Sequence, residues 1–182
     1  ITGVSDINPV TKQIAMISEY NSDIKKIGFL YNIAETNSKY QVDSAIAYAK
    51  ANGYLAENLI VKTVSQISEI DAQVNSLIND GVGAIYLPTD NMMADNMGKI
   101  TNITNEKKVP VFCGESGMVS NGGTFSLSIS YYALGKKAGD MAADILLNGS
   151  NPKDMAVKKI TDEKDLEFAY NNIDSSFKDG RL

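Results

Sequence analysis

An open, doubly wound α/β sheet is the fold class that this 182-residue sequence predicts, and two observations predict it. From residue 27 onward, short apolar runs alternate with longer helical patterns in about five cycles of about 25 residues, and no tandem hairpin signals separate them. The right-handed crossover rule then leaves a parallel sheet with helices on both faces, of Rossmann-like or flavodoxin-like order.

Each element follows from its own pattern. Ile27–Tyr31 is a short apolar run and reads as the first strand. The helix after it spans about Asn37–Asn52, with Tyr40, Ala45, Ile46 and Ala49 near one face and Gly53 where a left-handed C-cap is expected. Asn58–Val64 alternates as a second strand. Ile67, Ile70, Val74, Leu77 and Ile78 then fall at helical spacing, and Asn79-Asp80-Gly81 ends that helix. Gly83–Leu87 is continuous and apolar, as in a strand covered on both faces. A polar helix follows Pro88-Thr89-Asp90-Asn91 and runs to about Asn105, before the fourth and fifth strands at Val109–Cys113 and Thr124–Ile129. Tyr131–Leu147 is the clearest helix, with an apolar stripe of Leu134, Ala138, Met141, Ala142, Ile145 and Leu146, and with Gly149 beyond its end. Met155–Ile160 reads as an edge strand. Gln13–Tyr20 reads as a helix entering the first strand, Ile1–Ser5 as a strand belonging elsewhere, and the segment after Thr161 as a weakly patterned tail.

Composition removes several function classes. With 43% hydrophobic and 21% charged residues the chain can bury a core. A net charge of −5 and a pI near 4.8 speak against a nucleic-acid partner, whose phosphates need a basic face. There is no histidine, and Cys113 is the one cysteine. Ser-His-Asp and Cys-His nucleophilic machinery, His-based zinc sites and an internal disulfide are thereby excluded. No uninterrupted apolar stretch approaches the roughly 20 residues of a membrane span.

In such a sheet, ligands sit outside the carboxyl ends of the strands, so the residues after each strand carry the chemistry. They are Asn32, Glu35, Thr36, Asn37 and Ser38; then Thr89, Asp90 and Asn91; then Gly114, Glu115, Ser116 and Gly117; and around the fifth strand Ser128 and Ser130. Thr36, Asn37 or Ser38 could cap the first helix, and Asp90 or Asn91 the third, each for about 1 kcal/mol. Glu115 is flanked by glycines that let a ligand approach the backbone, or it is a solvated loop charge. Helix N-termini suit a carboxylate, and Glu35, Asp90 and Glu115 suit an ammonium, so the set matches a free amino acid. The same carboxylates could work as general acid and base, or hold Mg²⁺. A nucleotide fits poorly, because no GxxxxGK is present and Gly81-Val82-Gly83 precedes its strand. Cys113 reads as core at a strand end.

Gly3-Val4-Ser5-Asp6 with Pro9-Val10 and Gln13 opens an ordered series of motifs. It continues through Ile27–Asn32, Glu35–Ser38, Gln41 and Leu87–Asn91. Pro110–Phe112, Glu115, Met118-Val119, Ser130–Tyr132, Leu134-Gly135 and Gly139 complete it. Over about residues 1–150 this series resembles the ABC transporter substrate-binding proteins of the tryptophan/tyrosine-binding group. The resemblance implies a type I periplasmic-binding fold whose two lobes close on a ligand, with this chain as the C-terminal lobe. Residues 1–26 would be the segment leaving the first lobe at the hinge, 27–160 the ligand-binding lobe, and 161–182 a tail that could return to the first lobe. It implies a ligand-facing set of Glu35, Asn37, Ser38, Asp90, Asn91 and Glu115, with Ser130 nearby. Asn37, Ser38 and the helix N-terminus would take the ligand carboxylate, and Asp90 with Glu115 its ammonium.

The function expected from these readings is non-enzymatic, without cofactor or metal. It is the extracytoplasmic solute-binding component of an ABC importer, passing an aromatic or otherwise hydrophobic amino acid to a membrane permease. The missing N-terminal lobe, the signal region and a lipoprotein cysteine would lie upstream of Ile1. The alternative is the ligand-sensing domain of a transcriptional or signalling protein with the same fold.

Overall fold

The computed structural model of the chain describes residues 1–160 and 162–171. Its elements, in chain order, are β1 (Val4–Ser5), α1 (Val10–Tyr20), β2 (Ile27–Asn32), α2 (Thr36–Ala51), β3 (Leu59–Val64), α3 (Ile70–Asn79) and β4 (Ala84–Leu87). There follow α4 (Asn91–Asp95), α5 (Met97–Glu106), β5 (Val111–Cys113), α6 (Ser116–Ser120), β6 (Phe125–Ile129), α7 (Tyr131–Asn148), β7 (Lys158–Lys159) and β8 (Leu166–Tyr170). Two compact units result among the described residues: Val10–Leu127 with 168–171, and Ile1–Pro9 with Ser128–Glu167. The expected divisions fell at residues 26 and 160. The first observed division instead comes at Pro9, because α1 already packs into the core of the larger unit.

The larger unit is built on a six-stranded sheet of order β3-β2-β4-β5-β6-β8, and β2 to β6 pair in parallel. Period-two alternation sorts the side chains of β2. Ile27, Phe29 and Tyr31 face α1 and α2, and Leu30 faces α3 and α5. All six residues of β2 and all four of β4 are buried, which is why these strands read as continuous apolar runs. Gly28 lets Leu77 pack close to the strand: a Cβ there would stand 3.0 Å from Leu77 Cδ2, so that side chain would have to give way. The doubly wound parallel sheet is thus the observed fold.

Several details differ from the sequence reading. The polar helix after Asp90 is two helices, broken at Asn96, whose backbone leaves the helical region at φ −116° and ψ 19°. A short helix, α6, occupies the segment after Cys113 that reads as a loop. Tyr40, placed near the inner face of α2, is 60% exposed; Val42, Ala45 and Ala49 are buried instead. The Met155–Ile160 segment adds no edge to the main sheet: Lys158–Lys159 pairs in parallel with Val4–Ser5 in a sheet of two strands. The sixth strand is β8, in the weakly patterned tail, where Asn171 N–H donates to Thr124 O at 2.6 Å. The remainder of that tail lies outside the described residues.

In the smaller unit, α7 has the expected length and Gly149 takes the expected left-handed cap at φ 71°. Its apolar stripe is another matter. Met141 alone is buried, while Leu146 is 79% and Leu147 82% exposed. The two units differ accordingly in what a truncation should cost. Phe29→Ala, at a fully buried position, should lower unfolding free energy by about 3–5 kcal/mol. Leu147→Ala in the 182-residue chain should change it by less than about 0.5 kcal/mol, and paired denaturant melts check the contrast.

Candidate functional site

β2 lies between β3 and β4, so the chain reverses its direction of sheet growth after β3. The switch point therefore falls outside the carboxyl ends of β2 and β4, where open α/β sheets leave a crevice. Asp90 stands there, 2% exposed. Its Oδ2 accepts from Asn32 N–H at 2.8 Å and its Oδ1 from Met93 N–H at 3.0 Å, so one carboxylate ties the end of β2 to the start of α4. A charge this buried is tolerable only with such partners.

The turn from β2 to α2 is short. Asn32 Oδ1 accepts from Ala34 N–H at 3.1 Å and Asn32 O from Glu35 N–H at 3.0 Å. Helix α2 then begins one residue earlier than expected, with Glu35 at its N-cap and no side-chain cap hydrogen bond. The half-buried Glu35 carboxylate is turned away to the start of α4, where Asn91 donates its backbone N–H at 3.1 Å and its Nδ2 at 3.4 Å. Of the candidate caps, Asp90 does cap α4; Thr36, Asn37 and Ser38 are already inside α2.

Asn37 and Ser38 converge on one peptide. Asn37 Nδ2 and Ser38 Oγ both donate to Thr89 O, at 2.8 and 3.2 Å. Ser38 is fully buried and Asn37 exposed. Thr89 N–H donates to Gln41 Oε1 at 3.1 Å, and Thr89 Oγ1 to Gly114 O at 3.4 Å. Gly114 is needed because a Cβ would lie 2.4 Å from Thr89 N, a clash with backbone that cannot yield. Gln13, 1% exposed, donates to Gly114 O at 3.1 Å and Leu127 O at 2.6 Å and accepts from Tyr86 Oη at 2.7 Å. Glu115, half-buried, caps α6 by accepting from Gly117 and Met118 N–H groups, both at 2.9 Å.

Six of the seven expected site residues thus meet at the carboxyl edge of the larger unit: Glu35, Asn37, Ser38, Asp90 and Asn91 around Thr89, and Glu115 just beyond Gly114. Ser130 belongs to the smaller unit, where its Oγ accepts from Ala133 N–H at 3.3 Å and caps α7. Gln13, Gln41 and Thr89 were not among the expected ligand-facing residues, although both glutamines fall among apolar residues of a buried helix face and so carried a signal. Among the described residues no group of three acidic or thiol side chains is close enough to hold a metal ion, and no helix is long and apolar enough to cross a membrane. Cys113 is 1% exposed at a strand end, and burial, with the Glu115 charge nearby, pushes its thiol well above the usual range. Burial likewise raises the Tyr86 phenol, which donates as a neutral hydroxyl. Concavities of about 370, 450 and 460 Å³ open at the opposite edge, where the strands begin, and none is lined by a rim residue.

This sheet, with its acidic and amide-rich edge, is the fold of a type I periplasmic-binding lobe. The chain belongs to the ABC transporter substrate binding protein family, which it matches over residues 1–172. It is 36% identical over 146 residues to the tyrosine-binding protein of Clostridioides difficile (strain R20291), covering 80% of this chain and 41% of that one. A ligand-free, open substrate-binding protein with adhesive properties from Clostridium difficile is similar at a TM-score of 0.77 and 33% identity, over 100% of this chain and 59% of that one. An ABC domain from Streptococcus pneumonia in complex with L-Trp is similar at a TM-score of 0.80 and 30% identity, over 97% and 58%. The chain therefore spans about two fifths of the curated relative and under three fifths of these structures.

Removing the Asp90 carboxylate strips a cap and leaves Asn32 N–H buried without an acceptor. Asp90→Ala should therefore cost about 2–4 kcal/mol in a denaturant melt, and Asp90→Asn, which keeps one acceptor, roughly half as much. Equal stability of Asp90→Ala and wild type would show that this bridge does not hold the strand ends.

Proposed function

We propose that this chain carries one lobe of an extracytoplasmic solute receptor for an amino acid with an aromatic or hydrophobic side chain, which an ABC permease then takes up. The observation that carries the reading is the N-terminus of α2. It lies at the switch point, its first-turn N–H groups have no intrahelical acceptor, and Glu35, its N-cap, spends its carboxylate on Asn91 instead. A 16-residue helix left open in this way presents a positive end to solvent, suited to the ligand's carboxylate.

The acidic side of the rim suits the ligand's ammonium. Glu35 and Glu115, both half-buried, keep acceptor capacity beyond their present bonds. Asp90 is more deeply placed; it fixes the loop and adds negative potential beneath them. Asn37 and Asn91, both exposed, are placed to bond the ligand's polar end. The names of the relatives, tyrosine-binding and L-Trp-bound, support an aromatic side chain. Family membership supports a binding role rather than catalysis, and partnership with a permease on the outer side of the membrane.

The exposed stripe of α7 supports a further part of the reading: the missing N-terminal lobe of the same protein covers it. Lobe closure over the ligand would then couple binding to permease docking.

Calorimetry of the full-length protein tests this reading. L-Tyrosine or L-tryptophan should bind, and tyramine, which lacks the carboxylate, should bind at least about 100-fold more weakly. Thr36→Pro removes one first-turn N–H at a position where proline is tolerated, since Glu35 is already extended at φ −92° and ψ 105°. It should weaken tyrosine binding about three- to tenfold and leave the melting temperature within a few degrees. Tyramine binding as tightly as tyrosine would exclude the α2 carboxylate site.

A further inference from the structure

The polar groups on the inner faces of α1 and α2 are a feature the receptor reading does not use. Inner helix faces over a parallel sheet are ordinarily apolar, yet Gln13 and Gln41 are 1% and 8% exposed. Neither amide has freedom to flip. Thr89 N–H is a donor, so Gln41 must present oxygen to it; Gly114 and Leu127 present carbonyls, so Gln13 must present nitrogen to both. Burying two amides is costly unless their bonds are made, and here each is directed at backbone in a strand-end loop.

We propose that Gln41 is a positioning residue for ligand binding: through the Thr89 peptide it sets the geometry of the whole strand-end rim, with Gln13 doing the same for Gly114. The proposal rests on the receptor reading and adds a residue that touches no ligand. Thr89 is held on every polar side. Gln41 takes its N–H, Asn37 and Ser38 bond its carbonyl, and its hydroxyl reaches Gly114 O. The next two residues are Asp90 and Asn91, so a rotation of the Thr89 peptide moves the Asp90 bridge to Asn32 and the Glu35 contact to Asn91 together. It also frees Asn37 and Ser38, which form the first turn of α2, from the carbonyl that aligns them. The carboxylate side and the ammonium side of the rim therefore share one peptide as their common reference. A site that must meet both ends of a zwitterion loses affinity when the spacing between its halves relaxes.

Two near-isosteric substitutions separate positioning from packing. Gln41→Glu keeps an acceptor for Thr89 N–H, and Gln41→Met fills the same space without one. In the full-length protein, L-tyrosine affinity by calorimetry should fall about tenfold in Gln41→Met and stay within about threefold of wild type in Gln41→Glu. In the ligand-free protein, amide hydrogen exchange at Thr89 should quicken in Gln41→Met and remain at the wild-type rate in Gln41→Glu. Tyrosine affinity of Gln41→Met within threefold of wild type overturns the proposal, whichever way the amide responds, while leaving the receptor reading intact. Wild-type protein that binds neither tyrosine nor tryptophan overturns the receptor reading and this inference with it.

Discussion

The buried carboxylate of Asp90 is the constraint on which the carboxyl edge of this sheet depends. A charge 2% exposed must be solvated by the protein, and here two backbone N–H groups do so, one at the end of β2 and one in the first turn of α4. Satisfying that one group brings the two strand ends at the switch point into a single geometry. Thr89, its chain neighbour, is then in reach of α2, and Asn37, Ser38 and Gln41 close on its peptide. Glu35 follows the same logic. With Asn91 N–H facing it, its carboxylate bonds the start of α4 and leaves the start of its own helix open. An anion-receptive helix end and an acidic neighbour thus arise together from how the loop charges are paired.

Close approach of backbone completes this edge. Gly114 lets the loop after β5 lie against the Thr89 peptide, and Gly123 leaves room for the Cys113 thiol, which a Cβ there would meet at 2.4 Å. Cys113 is thereby a packed core group with its thiol held protonated by burial, not a nucleophile. The two faces of the sheet are filled by different helices, α1 and α2 on one and α3, α5 and the short α4 and α6 on the other. The smaller unit is built otherwise: a two-stranded sheet and an 18-residue helix that buries one of its residues.

Much of this was legible in the sequence, for reasons that vary by element. Strands β2 and β4 are buried, near-continuous apolar runs flanked by turn residues, so their existence and parallel character could be read directly; β6 alternates Phe125, Leu127 and Ile129 with Ser126 and Ser128 and was legible from that period of two. Asp90 stands three residues beyond β4, and the strand-end rule was enough to single it out. The exposure of α7 was not legible, because an apolar stripe records what a helix can bury and not where its partner lies. Strand β8 escaped because Leu166–Tyr170 offers five residues with charge among them and no turn signal that sets it apart. Glu35 was legible as a candidate but not in its placement: local capping rules consider a side chain and its own helix, and this one bonds the start of α4. Gln13 and Gln41 could have been flagged as polar residues on buried helix faces, but which peptides they bond is tertiary information.

A crystal structure of the full-length protein grown with L-tyrosine would show whether the start of α2 holds the ligand. The ligand's carboxylate should lie within hydrogen-bond distance of the backbone N–H groups of Thr36, Asn37 or Ser38, and its ammonium toward Glu35 and Glu115. A tyrosine whose carboxylate is held elsewhere, with the start of α2 facing water, would contradict that placement.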